Sequence, residues 1–452
     1  MKEINELLIK RVLIVGSWAK EQITIENISG NPDIEIFSYM DIRNPGIISK
    51  VKGYQIGSLY DISGIVNYAI EEKIDIVIVT TASPLSIGLV DALEENHILA
   101  FGPVRLAARL ESDKEFTRNL LKKYMPSAIP EFEVFEDAKS AIEHAEKLNW
   151  EVAVKPIGLT EGLGVRVFGE QLKDKNEVIR YIHQINDQKI GGSSKVIIEE
   201  KIEGEEFTVQ CFVHGDNIIP TPAVQDFKKL LPGEKGPNTA SMGSYSQKGY
   251  LLPFMEEKDY EKALEIIRGT LDGFQKETGK ICSGFLYGQF MMTANGVKLI
   301  EYNFRPGDPE WMNTVIILKD NLLDVIIRLL QGDDRALYFE NQATVCKYIV
   351  PEGYPEKFYQ HLDVDLDEGS LREIDGLKYY YSCGLDDTGK LNVGTERGIA
   401  FIAKAPTIEE ANEKVEKAIS LVNGKFYYRK DIGTKDLVDS KIANAIRLRR
   451  SG

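Results

Sequence analysis

Hydrophobic and polar positions alternate along the first hundred residues in a way that predicts strand, helix and strand again. RVLIVGS (11–17) is a buried-strand run ending at a glycine, and IDIVIVT (74–80) is a second, strongly β-branched. PLSIGLVDALEENH (84–97) starts with proline at a plausible first helical position and places Leu85, Leu89, Ala92 and Leu93 at helical spacing. ILAFG (98–102) returns to strand. This alternation predicts a parallel, doubly wound sheet, in which ligands sit beyond the carboxyl ends of the strands. The segments after Ser17 and Thr80 should therefore face a pocket.

An amphipathic pattern over about 104–125 predicts one long helix stopped by Pro126. AIPEFEVF reads as a strand and DAKSAIEHAEKLN as a helix with Asp137 at its N-cap. EVAVKP (151–156) is a short strand running into GLTEGLGVRVF, a glycine-punctuated turn between strands. Residues 195–216 give two strands broken at Gly204, and 225–249 read as a long polar loop of the kind that is usually functional. A helix over about 256–278 leads to an apolar hairpin, and a helical region follows Pro309 as far as Gln331 and Gly332. From Ala343 the pattern turns to strand runs (ATVCKYIV, KYYYSCG, GIAFIAK) and one helix, TIEEANEKVEKAISLV, capped by Thr407. The expected class is α/β and α+β multidomain: a doubly wound domain over 1–102, a middle domain over 103–332 and a small C-terminal α+β domain over 333–452.

The densest chemistry lies in GFLYGQFMMTANGVKLIEYNFRPGDPE (284–310). Two apolar runs flank the turn Ala294-Asn295-Gly296, a hairpin signal. Side chains alternate along a strand, so Glu301, Asn303 and Arg305 share one face while Tyr302 and Phe304 share the other. Polar groups inside an apolar hairpin need partners. Glutamate and asparagine oxygens suit Mg2+ and a neighbouring guanidinium suits phosphate, whereas the plainer alternative is a structural salt-bridge strand.

Other stretches gain meaning by position. Gly158-Leu159-Thr160-Glu161-Gly162-Leu163-Gly164 sits between strands, where a phosphate loop of the P-loop kind would open a helix. Alone it fits a tight hairpin equally well, but Lys155 precedes it at a strand end, and a buried lysine calls for an anion. Glu199-Glu200-Lys201-Ile202 ends a β-branched strand whose backbone could meet an adenine edge, with Glu206 in reach of a ribose hydroxyl; a solvated strand end is the alternative. Residues 225–229 and 236–239 (QDFKK, GPNT) put acid, base and amide in one stretch able to close over a small zwitterionic or phosphorylated substrate, or else form an ordinary surface loop. There is no Ser–His–Asp or Cys–His arrangement among only five histidines, which favours a reaction driven by a metal-bound nucleotide over one using an enzyme nucleophile.

Composition narrows the partners. The net charge of −15 opposes polyanions, so nucleic acid is not an expected partner. No apolar run approaches a membrane span, no signal peptide is recognisable, and the four scattered cysteines (Cys211, Cys282, Cys346, Cys383) read as reduced, buried residues of a cytoplasmic protein.

Taken together, FGPVRLAARLESDKEFTRNLL, VKPIGLTEGLGV, IEEKIEGEE, PAVQDFKK, GPNTASMGSYS and the 284–310 segment resemble the ATP-grasp ligases. Among these the chain is similar to the glycinamide ribonucleotide synthetase (phosphoribosylamine–glycine ligase) family, in order and spacing over roughly 74–310. The resemblance implies an ATP-grasp core over 103–332, with a nucleotide subdomain at about 126–204. It implies that Lys114 and Lys155, with Gly162 and Gly164 of the loop, contact ATP phosphates; that Glu199, Glu200 and Ile202 hold adenine and Glu206 the ribose; and that Glu301 and Asn303 bind Mg2+ or Mn2+. It sets Arg305 and Asp308 beside the reacting groups and gives Asp226, Lys228 and Asn238 the second substrate or acyl phosphate.

The implied reaction is ATP-dependent ligation of glycine to 5-phosphoribosylamine through glycyl phosphate, as in purine biosynthesis, by a monomer or weak homodimer. Departures cluster on the amine side. The family's GSGGREH reads Gly16-Ser17-Trp18-Ala19-Lys20-Glu21-Gln22, and its GPE reads Thr80-Thr81-Ala82. The loop's G-K-G reads Gly162-Leu163-Gly164, with Arg166 nearby as a substitute cation; GPNTGG becomes GPNTAS and QDHKR becomes QDFKK. They motivate two alternatives: a ligase for a different amine, or a non-catalytic nucleotide-binding regulator.

Overall fold

A computed structural model describes residues 9–158, 164–355, 361–393 and 396–451. The N-terminal strands form a five-stranded, all-parallel sheet in the order Gly53–Ile56, Glu35–Met40, Arg11–Val15, Ile76–Val79, Leu99–Phe101. The order reverses between Arg11–Val15 and Ile76–Val79, so the crevice of a doubly wound fold opens beyond Val15 and Val79. Both strands are completely buried along their inner positions, as expected for β-branched runs covered on both faces.

Two predicted helices are each broken once. Residues 84–97 form Ala82–Ser86 and Leu89–Glu95, separated at Gly88, whose φ of +96° ends the first turn in a left-handed conformation. Residues 104–125 form Arg105–Ser112 and Lys114–Tyr124. Asp113 leaves the helical region and caps the second helix by accepting from the Phe116 N–H at 2.9 Å. Asp137 and Thr407 cap their helices as predicted.

The middle of the chain holds two antiparallel four-stranded sheets. One orders Phe132–Phe135, Val196–Glu200, Val152–Pro156, Arg166–Val167; the other orders Asn217–Pro220, Gly204–His214, Ser283–Thr293, Gly296–Asn303. The predicted hairpin is the last pair of the second sheet, backed by helix Glu257–Thr278.

Residues 225–249 are not an irregular loop. They form Gln225–Asp226, Lys229–Leu231, Lys235–Asn238 and Gly243–Ser246. The first and last join Ala343–Ile349, Ile399–Ala405 and Leu377–Tyr381 in one antiparallel sheet. The C-terminal α+β domain is thus present, but its sheet continues into the middle of the chain. Strands of two residues leave too few alternating positions for a periodic signal. A final helix, Lys435–Ser451, not anticipated from the sequence, returns to the middle domain through Asn444 and Lys441 on buried Glu205 (2.7 and 3.1 Å). The four cysteines are buried and unpaired. Among the described residues no helix is long and apolar enough to cross a membrane.

Candidate active site

A cleft of about 650 Å3 opens where the N-terminal switch point, the hairpin and the C-terminal sheet meet. Seven predicted site residues line it: Lys114, Asp226, Lys228, Glu301, Asn303, Arg305 and Asp308. Strand alternation explains the hairpin's part, since Tyr302 and Phe304 are buried in the core while Glu301, Asn303 and Arg305 face the cleft.

One side of the cleft, lined by Lys114 and Arg118, is cationic and tied down by carboxylates; Lys155 and Glu199 lie outside the lining. Lys155 Nζ and Arg118 Nε each lie 2.5 Å from the Glu199 carboxylate, and Arg118 also donates to Ile300 O at 2.6 Å. Glu199 is buried, which alone would raise its pKa, but Arg118 and Lys155 outweigh burial and hold it down at about 2. Lys114 donates to Gly158 O at 3.0 Å, at the start of the glycine loop. Burial lowers the pKa of both Lys114 and Lys155, so each gains by meeting an anion. Arg305 Nε sits 3.3 Å from Glu111, and its Nη2 donates to Asn303 Oδ1 at 3.3 Å.

The opposite corner has the reverse imbalance. Lys228 is surrounded by Asp226, Glu301, Glu206 and Glu310; burial disfavours its charge, but these acids outweigh burial and raise its pKa above the ordinary lysine value. Lys228 donates to Gln289 Oε1, and Gln289 donates to Glu206. Burial raises the pKa of Asp226 and of Glu310, and among the described residues Asp226 Oδ1 has no hydrogen-bond partner. Tyr287 donates to Glu310 at 2.8 Å. A corner with more buried carboxylates than cations is prepared to receive cations.

This imbalance predicts a stability effect. Carboxyls whose pKa is raised on folding cost stability as pH climbs from their unfolded value near 4 through the folded one. Glu310→Gln removes one such group and keeps the Tyr287 bond. Its melting temperature should exceed wild type by about 2 °C at pH 7, the difference vanishing toward pH 4 in calorimetric scans.

At the switch point of the N-terminal sheet, Gly16 (φ +141°) begins the turn after Arg11–Val15, and a Cβ there would lie 2.6 Å from Glu21 Oε1. Buried Glu21 accepts from Lys20 (2.6 Å), Thr80 (2.6 Å) and the Trp18 N–H (2.8 Å). Trp18, Lys20, Asp41, Tyr60 and residues 81–83 line the cleft.

Some expected residues lie elsewhere. Glu199 is in a central strand paired on both sides, and its carboxylate is held by Lys155 and Arg118. Glu200 ends that strand and accepts from the Glu131 N–H at 3.1 Å, and Ile202 follows beyond the ladder. Glu206 stands behind Gln289, and Asn238 is held by Gln171 at 3.0 Å outside the cleft lining. Gly164 O accepts from Tyr181 at 2.5 Å, and Arg166 stacks 4.0 Å from the Tyr181 ring, away from the cleft. Gly162 and Leu163 lie outside the described residues. Sequence reasoning missed Glu111, Arg118, Gln289, Glu310 and Arg397, all cleft-lining. Glu111 and Arg118 share a seven-residue helical spacing with Lys114 between them, which is the signal that would have found them.

A cleft with lysines facing the acid–amide face of a hairpin, beside a doubly wound domain, fits the ATP-grasp class that the sequence resembles. Comparison with known proteins narrows the class. Residues 10–111, 112–311 and 344–435 match the N domain, the ATP-grasp (A) domain and the C domain of phosphoribosylglycinamide synthetase. The chain belongs to the phosphoribosylglycinamide synthetase family. It is 42% identical over 445 residues to the phosphoribosylamine–glycine ligase of Methanopyrus kandleri, covering 97% of this chain and 99% of that one. It is 41% identical to the enzyme of the same name from Methanothermobacter thermautotrophicus, covering 97% and 100%. The crystal structure of phosphoribosylamine–glycine ligase from Thermotoga maritima superposes with a TM-score of 0.77 at 25% identity, covering 93% of this chain and 99% of that one. At 15% identity, the biotin carboxylase domain of a Hydrogenobacter thermophilus 2-oxoglutarate carboxylase, solved with MgADP, shares the fold with a TM-score of 0.73, covering 98% of each chain.

Proposed function

We propose that this chain joins glycine to 5-phosphoribosylamine, with ATP cleaved to ADP and phosphate, through a glycyl phosphate intermediate. The observation that carries this reading is that one cleft is lined both by the switch-point segments (Lys20, residues 81–83) and by the hairpin face of Glu301, Asn303 and Arg305. Amine and activated carboxylate can therefore meet without leaving the protein.

The residues fit a divalent ion. Glu301, held in its charged form, and Asn303 offer two hard oxygen ligands on the cleft face of the hairpin. That suits Mg2+ or Mn2+, whose shell is completed by nucleotide phosphates and water. Bound there, the ion would neutralise charge on the transferring phosphoryl group. Lys114 and Lys155 take the phosphates, the strand end at Glu200 and Ile202 takes adenine, and Glu206 takes the ribose. Asp226 and Glu310 take the glycine ammonium, which supplies the missing partner of Asp226 Oδ1. Lys228 and Arg305 lie where the carboxylate becomes an acyl phosphate, and Asn238 closes the rim. Asp308 accepts an N–H of the attacking amine. The protein acts in the cytoplasm as a monomer or weak homodimer.

The test is product formation by purified protein from ATP, glycine and freshly generated phosphoribosylamine, set against a panel of other primary amines. Glycinamide ribonucleotide and ADP in equal amounts are expected only with phosphoribosylamine. Equal or better turnover with another amine would reassign the substrate, and no amide with any amine would leave a nucleotide-binding regulator.

A further inference from the structure

The C-terminal domain sets two buried side chains on one carboxylate of the cleft and a third behind them. Tyr348 lies in strand Ala343–Ile349, and its hydroxyl donates to Asp308 Oδ1 at 2.5 Å. Arg397 Nη2 lies 3.1 Å from the same oxygen, its Nη1 donates to Asp308 O at 3.0 Å and to Ala240 O at 2.6 Å, and its guanidinium stacks 4.1 Å from the Tyr348 ring centre. Ser382 Oγ is 2.9 Å from the Tyr348 hydroxyl and 3.4 Å from the Ala19 N–H, which opens the helix after the first glycine turn.

Hydrogen counting gives this chain a direction. A tyrosine hydroxyl has one hydrogen. Tyr348 gives its hydrogen to Asp308, because a carboxylate only accepts, so Ser382 donates to Tyr348, and Ser382 Oγ is left to accept from Ala19. The relay runs from Ala19 N–H through Ser382 and Tyr348 to Asp308, with every hydrogen used once. Burial and the neighbouring Asp308 push the Tyr348 pKa well up, which keeps its proton in place. Both side-chain contacts meet Oδ1, on a carboxylate that lines the cleft. The relay starts at the turn after the first strand of the N-terminal sheet and ends at a cleft carboxylate, so it links the switch-point side of the cleft to the hairpin side.

We propose that Tyr348, held by Ser382 and stacked beside Arg397, is the positioning residue that sets Asp308 for attack by the amine. This rests on the ligase reading above. In that step the amine nitrogen forms a bond to the glycyl carbon. The carbon–oxygen bond to phosphate breaks, its electron pair leaving on phosphate, and a proton passes from nitrogen to the Asp308 carboxylate. Formation of the acyl phosphate does not use Asp308. Loss of positioning therefore leaves the intermediate formed but poorly captured, and water hydrolyses it.

The readout is the ratio of ADP released to amide formed, in the full-length enzyme with saturating ATP, glycine and phosphoribosylamine. Wild type is expected to give a ratio near one. Tyr348→Phe removes one hydroxyl and keeps the ring beside Arg397; it should lower amide formation by about tenfold, raise the ratio to about three or more, and leave the KM for ATP within about twofold. Ser382→Ala should move the ratio the same way by a smaller amount, and serves where Tyr348→Phe folds poorly. General damage to the fold lowers ADP and amide together and leaves the ratio unchanged. A ratio that stays near one in both variants, whatever their rates, overturns the proposal. ADP without amide in the wild type would instead overturn the ligase reading itself.

Discussion

Glu301→Gln is expected to lower kcat by about 10²–10³-fold while the protein stays folded. Four cations, Lys228, Lys114, Lys155 and Arg305, overcome the effect of burial and hold Glu301 in its charged form. The amide has nearly the same shape, opens no cavity, and still sits on the cleft face of Gly296–Asn303 opposite Gln289. The lost pairing with those cations should cost some stability, short of unfolding the protein. What disappears is the one full negative charge in the Glu301–Asn303 pair, and with it most of the attraction for a divalent ion. The nucleotide phosphates are themselves polyanionic, so metal-free ATP should bind the variant at least as well as wild type. Turnover, thermal melting and calorimetric titration of ATP with and without Mg2+ test this together. Near-normal turnover would remove Glu301 from the metal site. Weaker binding of metal-free ATP would show that its role is structural.

The residues legible in the sequence are those whose surroundings are local. A strand alternates by two, so the hairpin alone separates Glu301, Asn303 and Arg305 from Tyr302 and Phe304, and the separation holds in the fold. The β-branched runs before Gly16 and Thr80 likewise identify the ends that face the cleft. Helix caps were readable at Asp137 and Thr407 because the capped N–H groups lie within three residues. The same chemistry at Asp113 was hidden by helical periodicity that runs through the break and keeps Glu111, Lys114 and Arg118 on one side.

What was not legible is non-local. Gln225–Asp226 becomes a strand by pairing with Gly243–Ser246, which itself pairs with Ala343–Ile349 about a hundred residues on, and no periodicity survives in so few positions. Arg397 reaches Asp308 across 89 residues of sequence, and Tyr348 across 40. Nothing in GIAFIAK or ATVCKYIV marks these strands as bordering a carboxylate of the cleft, since both read as plain buried strands. The burial of Glu199 was hidden for a related reason. A glutamate at a strand end is usually solvated, but Lys155 on the neighbouring strand and Arg118 on helix Lys114–Tyr124 turn it into a buried clasp.

That clasp makes Lys155 the second site of large effect, on two properties that can be separated. Lys155→Met removes one partner from a buried carboxylate and leaves Arg118 as the other, so stability should fall by about 3 kcal/mol. The sign of the pH dependence follows from Glu199. Its pKa is held at about 2 in the folded protein, so the clasp stabilises above the unfolded value near 4.5 and is lost as pH falls toward 2. The gap between wild type and variant should therefore be full at pH 7 and close below pH 4. ATP affinity should fall at least about tenfold, because a cation poised for phosphate is gone, while the KM for the amine should move far less. Glu199→Gln added to Lys155→Met discharges the stranded carboxylate and should restore most of the stability. It should not restore ATP binding, since the lost contact is with the ligand and not within the fold. Recovery of both in the double variant would mean that Lys155 only neutralises Glu199, and unchanged ATP affinity in the single variant would exclude it from the phosphate site. Arg118 also holds Ile300 O, one residue before Glu301, so a double variant that recovers stability should also recover the hairpin's geometry, leaving the phosphate contact as the only difference.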